Sequence, residues 1–155
     1  MKTRTILASL VVFLAGLAVS TAATNPNMGT WKLNEAKSKL ATAAKNNTVV
    51  YSAAAGDMIK VTVDGVDKDG KPSHNEWTGK FDGKDYPVTG DPTSDMRAYK
   101  MVNDHTLDMT AKKAGKVTLT GTIVVSADGK TRTVNTTGTD AAGKTVANMG
   151  FYDKQ

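Results

Sequence analysis

Glycine-centred turns recur along this chain at a nearly constant spacing, which constrains the fold more than any other feature. They are centred on Gly56, Gly70, Gly83, Gly115, Gly129 and Gly143, at successive intervals of 14, 13, 32, 14 and 14 residues. Further turn sequences, Gly90-Asp91-Pro92 and Asn103-Asp104-His105, divide the long interval. Glycine accepts the positive φ angles of tight turns, and Asx side chains bond to nearby backbone. The strands between such turns would be roughly nine residues long, a length that suits an up-and-down barrel.

Polar and apolar residues alternate between these turns, for example over residues 59–64 and 117–123. Threonine, a residue favoured in strands, accounts for 22 of the 155 residues. Alternation with one polar face indicates an antiparallel sheet that is buried on one side. The sequence therefore predicts an all-β, up-and-down antiparallel β-barrel of eight to ten strands. Ten strands are counted, beginning near positions 29, 48, 58, 73, 85, 95, 106, 116, 131 and 145.

One segment does not follow the strand pattern. Residues 34–45 are rich in alanine and lysine, which favour helices, and Asn34 could cap the first turn. We expect one short helix here, after the first strand, with an irregular surface loop as the alternative.

The first 23 residues resemble a secretory signal peptide. Lys2 and Arg4 precede an apolar run over residues 6–19, and small residues follow at 20–23. The run is shorter than the ~20 residues of a membrane span, and no cysteine follows it to carry a lipid. We expect residues 1–23 to be removed, leaving a barrel domain over 24–155 with no membrane span, in the periplasm or secreted.

The charge of the chain gives no sign of a nucleic-acid partner. Without Lys2 and Arg4, 18 basic side chains face 15 acidic ones, and the two kinds are interleaved. Nucleic-acid binding calls for a basic stripe with stacking aromatic residues. We therefore expect no nucleic-acid partner. A monomer is expected as well.

Catalytic and metal-binding patterns are missing from the sequence. There is no cysteine, and the two histidines are His74, which alternates with Glu76, and His105, which we expect to be exposed in a turn. His74 and Glu76 could form an acid–base pair or two metal ligands, but no third ligand follows at a fixed spacing. The sequence predicts no enzyme, no catalytic residues, no metal and no cofactor.

The first strand carries a family resemblance. Gly29-Thr30-Trp31-Lys32-Leu33 resembles the opening of calycin barrels, since Gly-x-Trp begins lipocalins and a similar pentapeptide begins many fatty-acid-binding proteins. Phe151-Tyr152-Asp153-Lys154 is similar to the last strand of the second family. The resemblance implies a barrel that binds a small hydrophobic or amphipathic ligand. The alternative is a non-catalytic envelope or extracellular interaction module with a filled barrel.

Fatty-acid-binding proteins carry Arg-x-Tyr on the last strand to hold the ligand carboxylate. Here Gly150 stands in the arginine position, and Tyr152 is retained. An anionic ligand would need another cation. The predicted domain has two arginines, Arg97 and Arg132, and both fall within strands. Arginine offers a planar, bidentate grip on a carboxylate, although both could instead pair with acids on the outer surface.

The sequence thus predicts ligand contacts from Arg97 with its same-face neighbour Tyr99, and from Arg132 and Tyr152. Trp31 is expected to plug one end of the barrel, because a large buried ring on the first strand can close it. Trp77 and Phe81 share a face of a later strand, where we expect them to form core.

Overall fold

Ten antiparallel strands make up almost all of the computed structural model, which describes residues 25–139 and 142–155. The predicted leader lies outside these residues. The strands are β1 (Gly29–Leu33), β2 (Lys45–Ala54), β3 (Met58–Val66), β4 (Pro72–Gly79), β5 (Tyr86–Thr89), β6 (Met96–Asn103), β7 (Thr106–Lys113), β8 (Lys116–Val125), β9 (Thr131–Thr139) and β10 (Thr145–Lys154).

Each strand pairs with its neighbours in the chain, and β1 also pairs with β10, which closes the barrel. The predicted all-β up-and-down barrel is confirmed, and the predicted strand starts lie within three residues of the observed ones. Closure leaves no free sheet edge. No helix in the described ranges is long and apolar enough to cross a membrane.

The segment after β1 contains one 3-10 turn, Glu35–Lys37, in place of a longer helix. Asn34 caps it as expected, since its Oδ1 accepts a hydrogen bond from Lys37 N at 3.3 Å. Beyond the turn, Lys39 and Met149 exchange backbone hydrogen bonds of 2.8 Å. The helix is short because the segment carries only one large apolar residue, Leu40, and pairing with β10 satisfies its backbone instead.

The barrel has two distinct ends. One end, which Trp31 is predicted to plug and which is called the plugged end below, carries the start of β1 and the β2–β3, β4–β5, β6–β7 and β8–β9 turns. The far end carries the other turns. Ten strands enclose a wider interior than the eight-stranded barrels that side chains can fill. The contents of this interior therefore decide what the protein can bind.

Aromatic side chains from β2 to β6 fill one side of the interior. Trp77 packs edge-on against Tyr99 at a centroid distance of 4.8 Å and lies parallel to Phe81 at 6.4 Å. Tyr51 meets Tyr99 edge-on at 6.3 Å. The Trp77 indole N–H donates to the Arg97 carbonyl at 2.8 Å. Trp77 therefore belongs to the core, as expected, whereas Phe81 lies beyond the end of β4 and packs against the core half-buried.

Candidate functional site

Trp31 lies at the plugged end and is completely buried. Its indole Nε1 donates to the Asn27 carbonyl at 2.9 Å, which ties the ring to the segment that precedes β1. Lys154 lies 5.0 Å from the ring centroid and donates from Nζ to the Pro26 carbonyl at 3.1 Å. These contacts fit the predicted plug, because the ring, the first residues of the domain and the last strand all meet there.

Arg132 points into the barrel directly beside this plug, and only 2% of its surface is exposed. Its guanidinium carbon lies 4.8 Å from the Trp31 ring centroid, 5.0 Å from that of Tyr51 and 4.9 Å from that of Tyr152. A desolvated cation gains about 2 kcal/mol or more from such an aromatic contact. The three rings therefore give the buried cation an electrostatic surrounding without any acidic side chain.

Two of the Arg132 nitrogens, Nε and Nη1, are buried without a hydrogen-bond partner. Within residues 25–139 and 142–155, no carboxylate forms an ion pair with Arg132. Buried donors nearly always have a partner, and an exception calls for a bound water, ion or ligand. These two N–H groups lie on different edges of the planar guanidinium, so each needs an acceptor of its own in that plane.

The surroundings of Arg132 shift the pKa values of Tyr51 and Tyr152. Burial chiefly raises the pKa of Tyr51, and neighbouring Tyr99 raises it further, while the charge of Arg132 acts in the opposite direction. Burial likewise raises the pKa of Tyr152, again against the effect of Arg132. The phenols of Tyr51 and Tyr152 are therefore neutral at physiological pH, and their hydroxyl groups remain able to donate hydrogen bonds.

Arg97 lies in a different setting. Its Nη2 donates to Asp91 Oδ2 at 3.1 Å and its Nη1 to Asn75 Oδ1 at 3.3 Å. Asp91 also accepts hydrogen bonds from Ser94 Oγ at 2.5 Å and from Thr93. Asp91 thus already balances the charge of Arg97, and the pair fixes the loop between β5 and β6.

The structure brings together some of the residues predicted to contact a ligand. Arg132 and Tyr152 are cross-strand partners, and Tyr99 joins them through Tyr51. Arg97 pairs with Asp91, and its side chain also interacts with Tyr99, the predicted same-face neighbour. Sequence reasoning missed Tyr51, although its alternation with buried Val49 on β2 places it on the inner face. Gly150 also has a structural reason, since a Cβ there would lie 2.9 Å from the Tyr152 ring.

A cleft of about 670 Å³ lies outside the plug, lined in part by Met101, His105, Lys130 and Lys154. His105, which lines this cleft, is half-buried rather than exposed as expected. Its Nδ1 is buried without a partner, as is Asn27 Oδ1. In the described ranges, the buried and unpartnered side-chain atoms thus all belong to Asn27, His105 and Arg132, around the plugged end.

His74 and Glu76 lie on the outer face of the barrel. His74 Nδ1 is 2.6 Å from Asp64 Oδ1, its Nε2 is 3.4 Å from Glu76 Oε1, and Lys60 Nζ lies 3.0 Å from that same oxygen. The described residues contain no cluster of His and acidic side chains suited to a metal ion. These contacts form an exposed ion-pair network.

We expect the pKa of His74 to lie above 6.5, since hydrogen bonds from its ring to Asp64 and then Glu76 favour the protonated form. Any stability that this pair contributes is present below the unfolded pKa and is lost as pH rises through the folded one. An NMR titration of the imidazole resonances measures the pKa of His74, and the His74→Gln variant assigns its signal. Asp64→Asn should lower the His74 pKa, and an unchanged value would contradict this account.

No family model matches this chain, and no curated protein matches it. Among solved structures, EF1p2_mFAP2b bound to DFHBI is 13% identical with a TM-score of 0.49, covering 86% of this chain and 97% of that one. A redesigned β-barrel, mFAP1, bound to DFHBI, is 13% identical with a TM-score of 0.44, covering 84% and 96%. The fold assignment rests on the closed pairing of β1 with β10, not on these neighbours.

Proposed function

We propose that this protein is an exported, calycin-like barrel that binds a small amphipathic molecule, whose anionic group Arg132 holds inside the barrel. The observation that carries this proposal is the buried guanidinium with two unpartnered nitrogens. Burying a charge without a counter-charge is costly. A bound carboxylate would supply that counter-charge and an acceptor for one of these two nitrogens.

The contrast with Arg97 supports this choice. Both arginines are buried on inner strand faces, but Arg97 has Asp91 and Asn75 as partners. A cation whose partners are already in place serves the fold, whereas a cation without them is ready for a ligand. Tyr152 and Tyr51 flank Arg132 with neutral hydroxyl groups that could share the anionic oxygen atoms.

Replacing Arg132 by methionine should separate binding from stability. We expect Arg132→Met to weaken dodecanoate binding by roughly one to two powers of ten, since hydrogen bonds to charged groups contribute about 1.5–3 kcal/mol. The free energy of unfolding of the ligand-free protein should not fall, because the variant no longer buries an unpaired charge. Isothermal titration calorimetry and urea unfolding measure the two quantities.

Lys130→Met is the matched control, because it removes the same charge two residues away from an exposed position. It should leave dodecanoate binding unchanged. Equal losses of dodecanoate affinity in Arg132→Met and Lys130→Met would indicate only a general effect of charge.

The packed aromatic cluster on β2 to β6 favours one other function, a filled barrel that serves as an envelope or extracellular interaction module. In that case wild-type protein would bind no carboxylate, and Arg132→Met and Lys130→Met would bind none either. We propose no catalytic activity for either function. N-terminal sequencing of protein recovered from the periplasm or medium tests export, with Ala23 or Thr24 expected as the first residue.

A further inference from the structure

The outer face of β8 and β9 carries no charged side chain over most of its length. Because every second side chain of these strands faces the interior, the remaining ones point outward. Over residues 118–124 and 131–139, the outward positions hold seven threonines, Val124 and Asn135. The outer face of β3 and β4, in contrast, carries the ion-pair network of His74. Protein surfaces normally intersperse charges of both signs, so this face is chemically distinct.

A depression of about 430 Å³ lies in this face and extends over the neighbouring strand β7. Its floor includes Met109 and Gly121. Six polar side chains line it in two adjacent cross-strand rows, Asp108 with Thr122 and Asn135, and Thr110 with Thr120 and Thr137. Neighbouring strands lie about 4.8 Å apart, and alternate residues of one strand lie about 6.8 Å apart. The six side chains, called the outer array below, therefore form a regular two-by-three grid.

Asp108 supplies the carboxylate of the outer array, and it is exposed. Its cross-strand partner on β6 is Lys100, whose side chain packs against Gly83 instead. Within residues 25–139 and 142–155, Asp108 forms no ion pair. It accepts one hydrogen bond, from Thr122 Oγ1 at 3.3 Å. Since an ionised carboxylate has about four acceptor sites, most of them are open to a ligand that carries O–H donors.

The other five side chains of the outer array offer hydroxyl and amide groups. Thr120 Oγ1 donates to the Thr137 carbonyl at 3.5 Å, a long hydrogen bond. The side chains of Thr110, Asn135 and Thr137 form no hydrogen bond with another residue in the described ranges. Hydroxyl and amide groups both donate and accept hydrogen bonds. The array therefore matches a ligand that is itself rich in hydroxyl groups.

Other classes of ligand fit the outer array less well. No side chain that lines the depression is cationic, so a phosphate or a carboxylate would meet Asp108 without a counter-charge. A metal ion would find a single carboxylate there, and the described residues hold no cluster suited to one. Protein interfaces place aromatic and arginine side chains near their centre, and this lining contains neither. An uncharged polyhydroxyl molecule is the class that remains.

We propose that the outer array binds a neutral glycan, with Asp108 accepting hydrogen bonds from its hydroxyl groups. One row of the array, from Asp108 to Asn135, crosses two strand spacings, about 10 Å. That span exceeds one sugar ring, so an oligosaccharide fits better than a single sugar. Arg132 lies on the inner face of β9, on the opposite side of the sheet. The inference therefore goes beyond the proposed function and does not depend on it.

An NMR titration of the backbone amide signals tests this site. Cellohexaose, maltohexaose and chitohexaose are the neutral probes, and hexagalacturonate is an acidic probe of the same length. We expect at least one neutral probe to shift amide signals of β7, β8 and β9 around the depression. Hexagalacturonate should not shift them, because its carboxylates would face Asp108.

Two lysine substitutions locate the binding. Thr120→Lys places a long, charged side chain in the depression and should weaken binding of the neutral probe at least tenfold. Thr78→Lys is the matched control, because it makes the same change at an exposed position on the outer face of β4, and it should leave binding unchanged. Arg132→Met should also leave it unchanged, which separates this site from the proposed function.

Asp108→Asn is a second test that does not alter the shape of the depression. It should weaken binding about threefold or more, because hydrogen bonds to a charged acceptor are about twice as strong as neutral ones. The amide spectra also show whether each variant folds. The glycan site would be overturned if no neutral probe shifts these signals, if hexagalacturonate binds equally well, or if the two lysine variants lose equal affinity. Shifts that depend on protein concentration alone would identify a second copy of the chain as the occupant instead.

Discussion

Replacing Trp31 by alanine is expected to lower the free energy of unfolding by about 3–5 kcal/mol, the usual cost of deleting a large buried aromatic side chain. The substitution removes a completely buried ring and leaves the Asn27 carbonyl and the Arg132 guanidinium without their contact. Small domains are stable by about 5–15 kcal/mol, so much of the native state could be lost. Urea unfolding followed by the fluorescence of Trp77 measures the change.

Two variants accompany Trp31→Ala. Trp31→Phe keeps an aromatic ring and loses the indole N–H. Its unfolding midpoint should therefore fall between those of the wild type and Trp31→Ala. Lys32→Ala alters the exposed neighbour on the same strand and should behave as wild type. A wild-type midpoint for Trp31→Ala would show that the ring does not close the barrel.

A loss of similar size is expected for Asp91→Ala. Asp91 and Arg97 form an ion pair in which the side chains are only 14% and 9% exposed. Removing one partner leaves a buried charge uncompensated, which typically costs about 3–5 kcal/mol. The double variant Asp91→Ala with Arg97→Met should regain much of that stability, and a double-mutant cycle measures the coupling. If the stability losses of the two single variants simply add in the double variant, the ion pair does not hold the β5–β6 loop.

The ion pair of Asp91 and Arg97 should make the stability of the protein sensitive to acid. Burial would raise the pKa of Asp91, but hydrogen bonds from Ser94 and Thr93 and the charge of Arg97 outweigh it and lower the pKa below 3.8. The stability contributed by a depressed carboxyl pKa is present above the unfolded pKa and is lost as pH falls through the folded one. Wild-type stability should therefore decline below about pH 4, and the decline should be smaller in Asp91→Ala.

The strands could be predicted because each is a local pattern between turns, and the inward direction of Arg132 follows from alternation along β9. The partner of Arg97 could not be predicted in this way. Asp91 belongs to a turn sequence that signals only a chain reversal, and its contact with a side chain from β6 depends on the folded loop. Tyr51 was missed for a related reason, since its ring meets Arg132 across the barrel rather than along a strand.

The pairing of β1 with β10 joins the beginning of the domain to its end. Gln155 N donates to the Thr30 carbonyl at 2.9 Å, and Lys154 holds the carbonyl of Pro26. Closure of the barrel therefore depends on contacts of the greatest sequence separation, which form late and slowly. A chain that stops before β10 cannot close the barrel, and it leaves the edges of β1 and β9 free to pair with other chains.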